Sequence, residues 1–349
     1  MIPHYSKIHN RFRLDGRYFN HIDLKEVAYS YVKEGLPFEV AVGDFLIDWL
    51  NDKTYVEVKT SGSTGAPKTI KLEKKAMVHS AINTGDFFGL NPGDTSLLCL
   101  PAKFIAGKMM LVRAMILGLE LDMIQPSASI QIEKPYHFVA MTPLQLSNSK
   151  NSIDDITILI VGGGKVSYSL KSKFKDSKTQ CFETYGMTET ITHVAVRPFN
   201  EQYFKALPSI SISKDKRDCL ELMVPYISKE KIRTNDVVEL HSSSEFVWLG
   251  RFDNVINSGG IKIFPERLEA QLESKIEPNF FITSIPDEDL GEHVALILES
   301  ESNAIDPKVF NGLDKYAIPK TILNTPKFSF TESGKINRSE TLNSILSHA

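Results

Sequence analysis

The residues best suited to chemistry stand between positions 60 and 68, where Thr60, Ser61, Gly62, Ser63, Thr64, Gly65, Ala66, Pro67 and Lys68 follow one another. Four hydroxyls, two glycines and a lysine in nine positions make a loop whose backbone N–H groups can turn into one concavity, a nest for anionic oxygens. The hydroxyls add rotatable donors and the ammonium adds a mobile positive charge. Polyphosphate suits this chemistry; taken alone, the string also reads as a flexible polar turn. Its spacing is not that of the nucleoside-triphosphatase loop GxxxxGK[ST], which opens a helix after a strand. Here Gly65 is followed by Ala-Pro-Lys and then by a strand pattern. No GxGxxG follows a strand either, so a dinucleotide-binding oxidoreductase has no support.

The elements that must hold this loop can be read on either side of it. Residues 55–58 and 69–72 alternate apolar and polar side chains and predict two strands of a hairpin with the loop between them. Met77, Ala81 and Phe88 give a helical stripe over 74–88. Residues 97–100, 138–141 and 157–161 are short apolar runs bounded by Pro or Gly and read as buried strands. Residues 38–50 read as an apolar helix that covers core left open by the short N-terminal part. Further on, Pro265 can open a helix with Leu268 and Leu272 on one face. Strands at 280–285 and 294–298, a helix near 309–316 and a polar loop at 331–338 complete a small α+β unit. The class is α/β: a large N-terminal αβ domain of layered sheets and helices, residues 1–252, and a small C-terminal domain, residues 253–349.

Composition narrows the function. The 349 residues are 42% hydrophobic and 24% charged, with a formal net charge of −3, which suggests neither a nucleic-acid nor a membrane partner. No apolar stretch approaches the roughly 20 residues of a membrane helix, and no apolar signal segment opens the chain. Cys99, Cys181 and Cys219 form no CxxC pair, which argues against a disulfide scaffold or zinc site and fits a reducing, cytoplasmic setting. The nine histidines are dispersed without ligand spacing. His193 falls shortly after Glu189, where it could line the site, and is assigned no chemical role.

Four further strings follow the loop in order. They are Tyr185-Gly186-Met187-Thr188-Glu189, Thr234-Asn235-Asp236, Gly250-Arg251-Phe252-Asp253-Asn254 with Ser258-Gly259-Gly260 behind it, and Ser333-Gly334-Lys335-Ile336-Asn337-Arg338. Together with residues 60–68 they resemble the signature motifs of the adenylate-forming superfamily: acyl- and aryl-CoA ligases, luciferase-like enzymes and adenylation domains. The resemblance implies ATP, Mg²⁺ and coenzyme A as cofactor and co-substrates. It makes Lys335 the catalytic lysine between the acid carboxylate and the α-phosphate, where two anions must meet. Glu189 becomes the Mg²⁺ ligand, Thr188 a phosphate contact, and Tyr185 a stacking partner for adenine beside Gly162, Gly163 and Gly164. Asp236 would accept from both ribose hydroxyls, with Arg251 reaching the same sugar. Asn235 replaces the family's glycine, and as a residue tolerant of left-handed backbone it should preserve a turn there. Asp253 takes the hinge position about which the mobile small domain swings. Gly259 and Gly260 would border the tunnel for the thiol arm.

Within the superfamily the chain looks most like the o-succinylbenzoate–CoA ligases of menaquinone synthesis in a short bacterial form. The stretch Leu100-Pro101 through Phe104-Ile105-Ala106-Gly107-Lys108, with Arg113 six residues after the glycine and then Met141-Thr142-Pro143, carries that likeness. The acid has two carboxylates; one reacts, and Arg113 or Lys108 could hold the other, with Thr142 near the acid. Arg113 also reads as a helix-surface residue. Two departures stand out: Phe104 occupies the position of a usual histidine, and only 59 residues precede the loop. Other aryl- or acyl-CoA ligases, an adenylation enzyme that loads a carrier protein, and an idle nucleotide-binding relative are the alternatives. A homodimer is compatible with all of them.

Overall fold

A computed structural model describes residues 2–59, 69–149, 153–302, 304–330 and 336–347. The loop 60–68 and Lys335 lie outside the described residues, while the hairpin that carries the loop does not. Tyr55–Lys59 and Thr69–Glu73 pair antiparallel with Lys59 opposite Thr69.

A thirteen-stranded sheet spans the larger part of the chain. One wing is parallel, in the spatial order Gln180–Gly186, Ile156–Val161, Tyr136–Met141, Thr95–Leu98, Glu120–Met123, Arg13–Leu14. Its central strands, Ile156–Val161, Tyr136–Met141 and Thr95–Leu98, are largely buried on both faces. Leu98, Phe138, Ile158 and Ile160 point into one core, while Leu97, Val139, Leu159 and Val161 point into another. The second wing is antiparallel and continues from Gln180–Gly186 through His193–Pro198, Phe204–Ala206, Glu245–Arg251, Ile232–Leu240, Cys219–Met223 and Ser211–Lys214. The strand Gln180–Gly186 therefore has a parallel neighbour on one side and an antiparallel one on the other.

Helices Lys74–Phe88 and Ile105–Leu117 pack on each other over the first core. The N-terminal helices His21–Glu34 and Pro37–Leu50 join the same core through Leu24, Ala28, Val42, Phe45, Leu46 and Trp49. The apolar helix expected over 38–50 is thus present, and it buries its face against this core. Asn20 caps the first of the pair by accepting from the N–H groups of Ile22 and Asp23. The two helices cross closely at Gly43, where a methyl group would lie 2.6 Å from the Ala28 carbonyl oxygen.

A separate five-stranded sheet holds Ile256–Ser258, Ile261–Ile263, Gly291–Glu299, Phe280–Asp287 and Thr321–Thr325. Helix Pro265–Leu272 covers it through Leu268 and Leu272. The helix expected at 309–316 is not formed. A short 3-10 turn, Pro307–Phe310, is capped by Asp306 and the chain then breaks at Gly312, whose φ is +90°.

Candidate active site

Ligands of open parallel sheets bind beyond the carboxyl ends of the strands, and a cleft of about 1410 Å³ lies there. Leu100 enters it after Thr95–Leu98, Thr142 after Tyr136–Met141, Gly162 to Gly164 after Ile156–Val161, and Thr188 with Glu189 after Gln180–Gly186. Tyr185, Asp236 and Arg251 line it from the antiparallel wing, and Arg113 from the helix Ile105–Leu117. The small unit contributes Glu266, Arg267, Ala270 and Glu273. Residues far apart in sequence thus meet at one opening.

At one end the buried carboxylate of Asp236 is surrounded by donors. The Tyr185 hydroxyl donates to its Oδ2 at 2.6 Å, and Trp248 Nε1 donates to its Oδ1 at 3.0 Å. Arg251 Nη1 stands 3.5 Å from Oδ1. A carboxylate has about four acceptor sites, so capacity remains for further donors from a ligand. Burial, then the Asp236 charge, raises the Tyr185 phenol well above its ordinary range. Its ring is fixed edge-on to Phe246 with centroids 5.4 Å apart. Trp248 was missed in the sequence; nothing in the alternation of Glu245–Arg251 distinguishes it until its N–H needs a partner.

Asn235 does not form the expected turn. It lies within the strand Ile232–Leu240 and has no left-handed backbone, so a side chain is accommodated without strain. Its amide instead donates to Asp253 Oδ2 at 3.1 Å and accepts from Arg217 Nη1 at 3.1 Å. Asp253 sits in the 3-10 turn Phe252–Asn254 between the two sheets, exposed and outside the cleft lining. Gly259 and Gly260 form the tight turn between Ile256–Ser258 and Ile261–Ile263 with φ of +57° and +82°. They do not line this cleft.

The other end contains a buried cation. Arg113 is 1% exposed, which removes the reading of it as a surface residue. Its Nε donates to Thr84 Oγ1 at 3.3 Å and its Nη2 to Thr192 Oγ1 at 3.1 Å. Among the described residues Nη1 reaches only the Met110 thioether, at 3.7 Å. Every partner is neutral, and burial alone pushes the guanidinium down to about 9. Lys108 cannot share this post. Five residues along a helix turn the side chain by about 140°, and the Lys108 ammonium lies 4.9 Å over the Phe45 ring, outside the cleft lining. Thr142 lines the cleft but its hydroxyl caps the next helix, accepting from Gln145 N at 3.2 Å. Phe104 is exposed at the start of its helix.

His193 belongs to this end. It is buried, lines the cleft, and lies 3.5 Å from Arg113 Nη2 through its Nδ1. Burial and then the neighbouring guanidinium hold its pKa well below the ordinary value. The residue before Thr192 is strained: Ile191 has φ 69° and ψ −56°, and Thr192 N donates back to Thr190 O at 2.8 Å. This is a γ-turn of the disfavoured hand, in a β-branched residue that pays for it with backbone energy.

Among the described residues no group of three or more His, Cys, Asp or Glu side chains is arranged to hold a metal. A Mg²⁺ site needs no such cluster, since that ion takes one or two carboxylates and completes its shell with phosphate oxygens and water. Glu189, in the turn Thr188–Thr190 on the cleft wall, fits that demand. No helix among the described residues is long and apolar enough to cross a membrane.

Comparison with known proteins agrees with this geometry. The profile of the AMP-binding enzyme family matches residues 51–217. An AMP-forming acyl-CoA synthetase/AMP-acid ligase II-like protein from Dyadobacter fermentans is 31% identical in a solved structure. The alignment covers 92% of this chain and 98% of that one, with a TM-score of 0.62. The chain therefore belongs to the AMP-binding enzyme family, the AMP-forming acid–CoA ligases. A 2-succinylbenzoate–CoA ligase from Bacillus pumilus is 24% identical over 334 residues, 82% of this chain and 68% of the relative. The o-succinylbenzoate coenzyme A synthetase of Bacillus subtilis, solved with ATP and a magnesium ion, shares the fold with a TM-score of 0.69. It is 20% identical, over 82% of this chain and 69% of that one.

Proposed function

We propose that the chain is an o-succinylbenzoate–CoA ligase. The observation that carries the choice of acid is Arg113, a buried guanidinium on the cleft wall with only neutral partners among the described residues. A buried charge left uncompensated costs several kcal/mol, and a ligand carboxylate offsets that cost bidentately. An acid with a second carboxylate, remote from the reacting one, supplies that anion. The relatives named 2-succinylbenzoate–CoA ligase favour the same acid.

In this reading the reacting carboxylate attacks the α-phosphate of ATP, forming the acyl-adenylate and releasing pyrophosphate. The thiol of coenzyme A then displaces AMP to give the thioester. The loop with Thr60, Ser61, Gly62, Ser63, Thr64, Gly65 and Lys68 receives the phosphates with Thr188. Lys335 neutralises the meeting anions. Glu189 would hold Mg²⁺, which when bound offsets phosphate charge. Asp236 and Arg251 take the ribose, Tyr185 and the segment Gly163–Gly164 the base. Residues 1–252 form the binding unit and 253–349 the unit bearing Lys335, joined at Asp253.

The test is pyrophosphate release over a panel of aryl and alkyl acids, with and without coenzyme A. Turnover with o-succinylbenzoate that requires coenzyme A for thioester is expected. Turnover of another acid in its place removes the specific assignment and leaves the class. Thioester formed only on a carrier protein redirects the second step.

A further inference from the structure

The Thr84 hydroxyl is closer to the Ser80 carbonyl than to the His193 ring, and that choice sets the hydrogen-bond pattern around Arg113. Thr84 has a single hydroxyl proton and gives it to the Ser80 carbonyl at 3.0 Å, so its oxygen accepts from Arg113 Nε. His193 Nε2, 3.4 Å from the same oxygen, must then be the protonated nitrogen of the ring. Nδ1 is left as an acceptor, facing Arg113 Nη2 at 3.5 Å and the Thr192 hydroxyl at 3.4 Å. Thr192 in turn accepts from Arg113 Nη2 at 3.1 Å, which frees its own proton for Nδ1. Both hydroxyls, His193 Nε2 and the Nε and Nη2 groups of Arg113 thus each meet an acceptor, while Nη1 has only the Met110 thioether among the described residues.

We propose that His193, as its Nε2–H tautomer, is a positioning residue that holds the Arg113 guanidinium at the acid end of the cleft in place of a counter-ion. Buried arginines are ordinarily fixed by carboxylates, and a carboxylate here would neutralise the charge an anionic substrate needs. An imidazole lone pair fixes the same geometry and leaves the charge available. The strained turn at Ile191 fits this role, because it immediately precedes Thr192 and His193, the two residues that accept from Nη2. Protonated, the ring would present a cation 3.5 Å from a cation and lose its acceptor, so the device works only with a neutral histidine.

The inference rests on Arg113 receiving the remote carboxylate, and the two can fail separately. His193→Leu keeps the ring's approximate volume and removes both nitrogens. It is expected to raise the KM for o-succinylbenzoate at least tenfold, with kcat within threefold and the KM for ATP unchanged. His193→Asn, whose side-chain oxygen can stand where Nδ1 stands, is expected to recover KM to within about threefold of the parent. Equal losses for acid and ATP in the leucine variant, or an unchanged acid KM, would overturn the proposal. A second readout needs no substrate. Imidazole ¹⁵N shifts of the full chain should show one neutral Nε2–H tautomer from pH 5.5 to 8. A ring that protonates near pH 6.5, or an Nδ1–H tautomer, refutes the positioning role whatever the acid proves to be. If o-succinylbenzoate is not turned over while the tautomer is as stated, the choice of acid fails and the KM measurements move to the best acid of the panel that bears a second anionic group. Leucine-variant KM unchanged on that acid refutes the inference.

Discussion

Two of the buried charges on the cleft wall have opposite surroundings. Asp236 is an anion enclosed by donors: Tyr185, Trp248 and Arg251. Arg113 is a cation among neutral acceptors: Thr84, Thr192 and His193. The carboxylate is fixed and balanced before any ligand arrives, so it serves as a rigid post. The guanidinium is fixed but has no counter-ion among the described residues, and under the proposed function its surplus charge receives an anion. A protein can therefore separate holding a charged group from neutralising it, using lone pairs for the first and leaving the second to substrate.

Arg113→Met tests the unbalanced end and should give the largest effect. A desolvated charge pair lost from one side costs about 2–5 kcal/mol, so kcat/KM for o-succinylbenzoate is expected to fall on the order of 10²–10³-fold. The KM for ATP should stay within about twofold. Steady-state kinetics with each substrate varied decides it; an equal loss for ATP would erase the contrast between the ends. Asp236→Ala probes the balanced end. It leaves the Tyr185 hydroxyl and the Trp248 N–H without their acceptor, which costs about 1–3 kcal/mol for each orphaned group. A lowered denaturant midpoint in the absence of ligand, along with weaker ATP binding, is the expected outcome. A variant as stable as the parent would show that the post is not preorganised.

The smallest effect concerns pH. Burial and Arg113 depress the pKa of His193 below its ordinary 6.5, so the unfolded chain binds a proton that the folded chain refuses. Folding stability from this group is complete above about pH 6.5 and declines as pH falls below it, by up to about 1.4 kcal/mol per unit. Arg113 is the one charged group acting on the ring among the described residues. Denaturant midpoints at pH 5 and 7.5 should therefore differ less in His193→Asn than in the parent. Identical differences in both proteins would mean that the ring protonates freely in the fold.

Much of this was legible in the sequence because period and punctuation agreed. The helix Lys74–Phe88 followed its apolar stripe, and the central parallel strands appeared as apolar runs because both of their faces are largely buried. The motif residues converge because Tyr185, Glu189 and Arg251 end or follow strands at the same edge, and Asp236, inside its strand, is paired with Arg251. What could not be read was orientation. Ile105–Leu117 is buried almost all round, so no polar face indicates which way Lys108 or Arg113 points. Asn235 was assigned a turn on the habit of its residue type, although the strand on either side of it is continuous. The expected helix at 309–316 ignored Asn311-Gly312, a helix-stop signal. His193 had no periodicity to report its burial; only a count of hydroxyl protons in three dimensions reveals its task.

The strand Arg13–Leu14 joins the large sheet by pairing with Glu120 and Leu121, roughly a hundred residues further along the chain. During synthesis at about 5–20 residues per second, that partner emerges roughly 5–20 seconds later. The helices His21–Glu34 and Pro37–Leu50 can close on each other at once, since their contact at Gly43 is local. Their joint surface, with Phe45 and Trp49, stays wet until Lys74–Phe88 and Ile105–Leu117 arrive to cover it. The nascent chain thus carries an apolar helical hairpin from the time Leu50 is added until Leu117 follows, and the cleft cannot begin to assemble before that hairpin has found its cover.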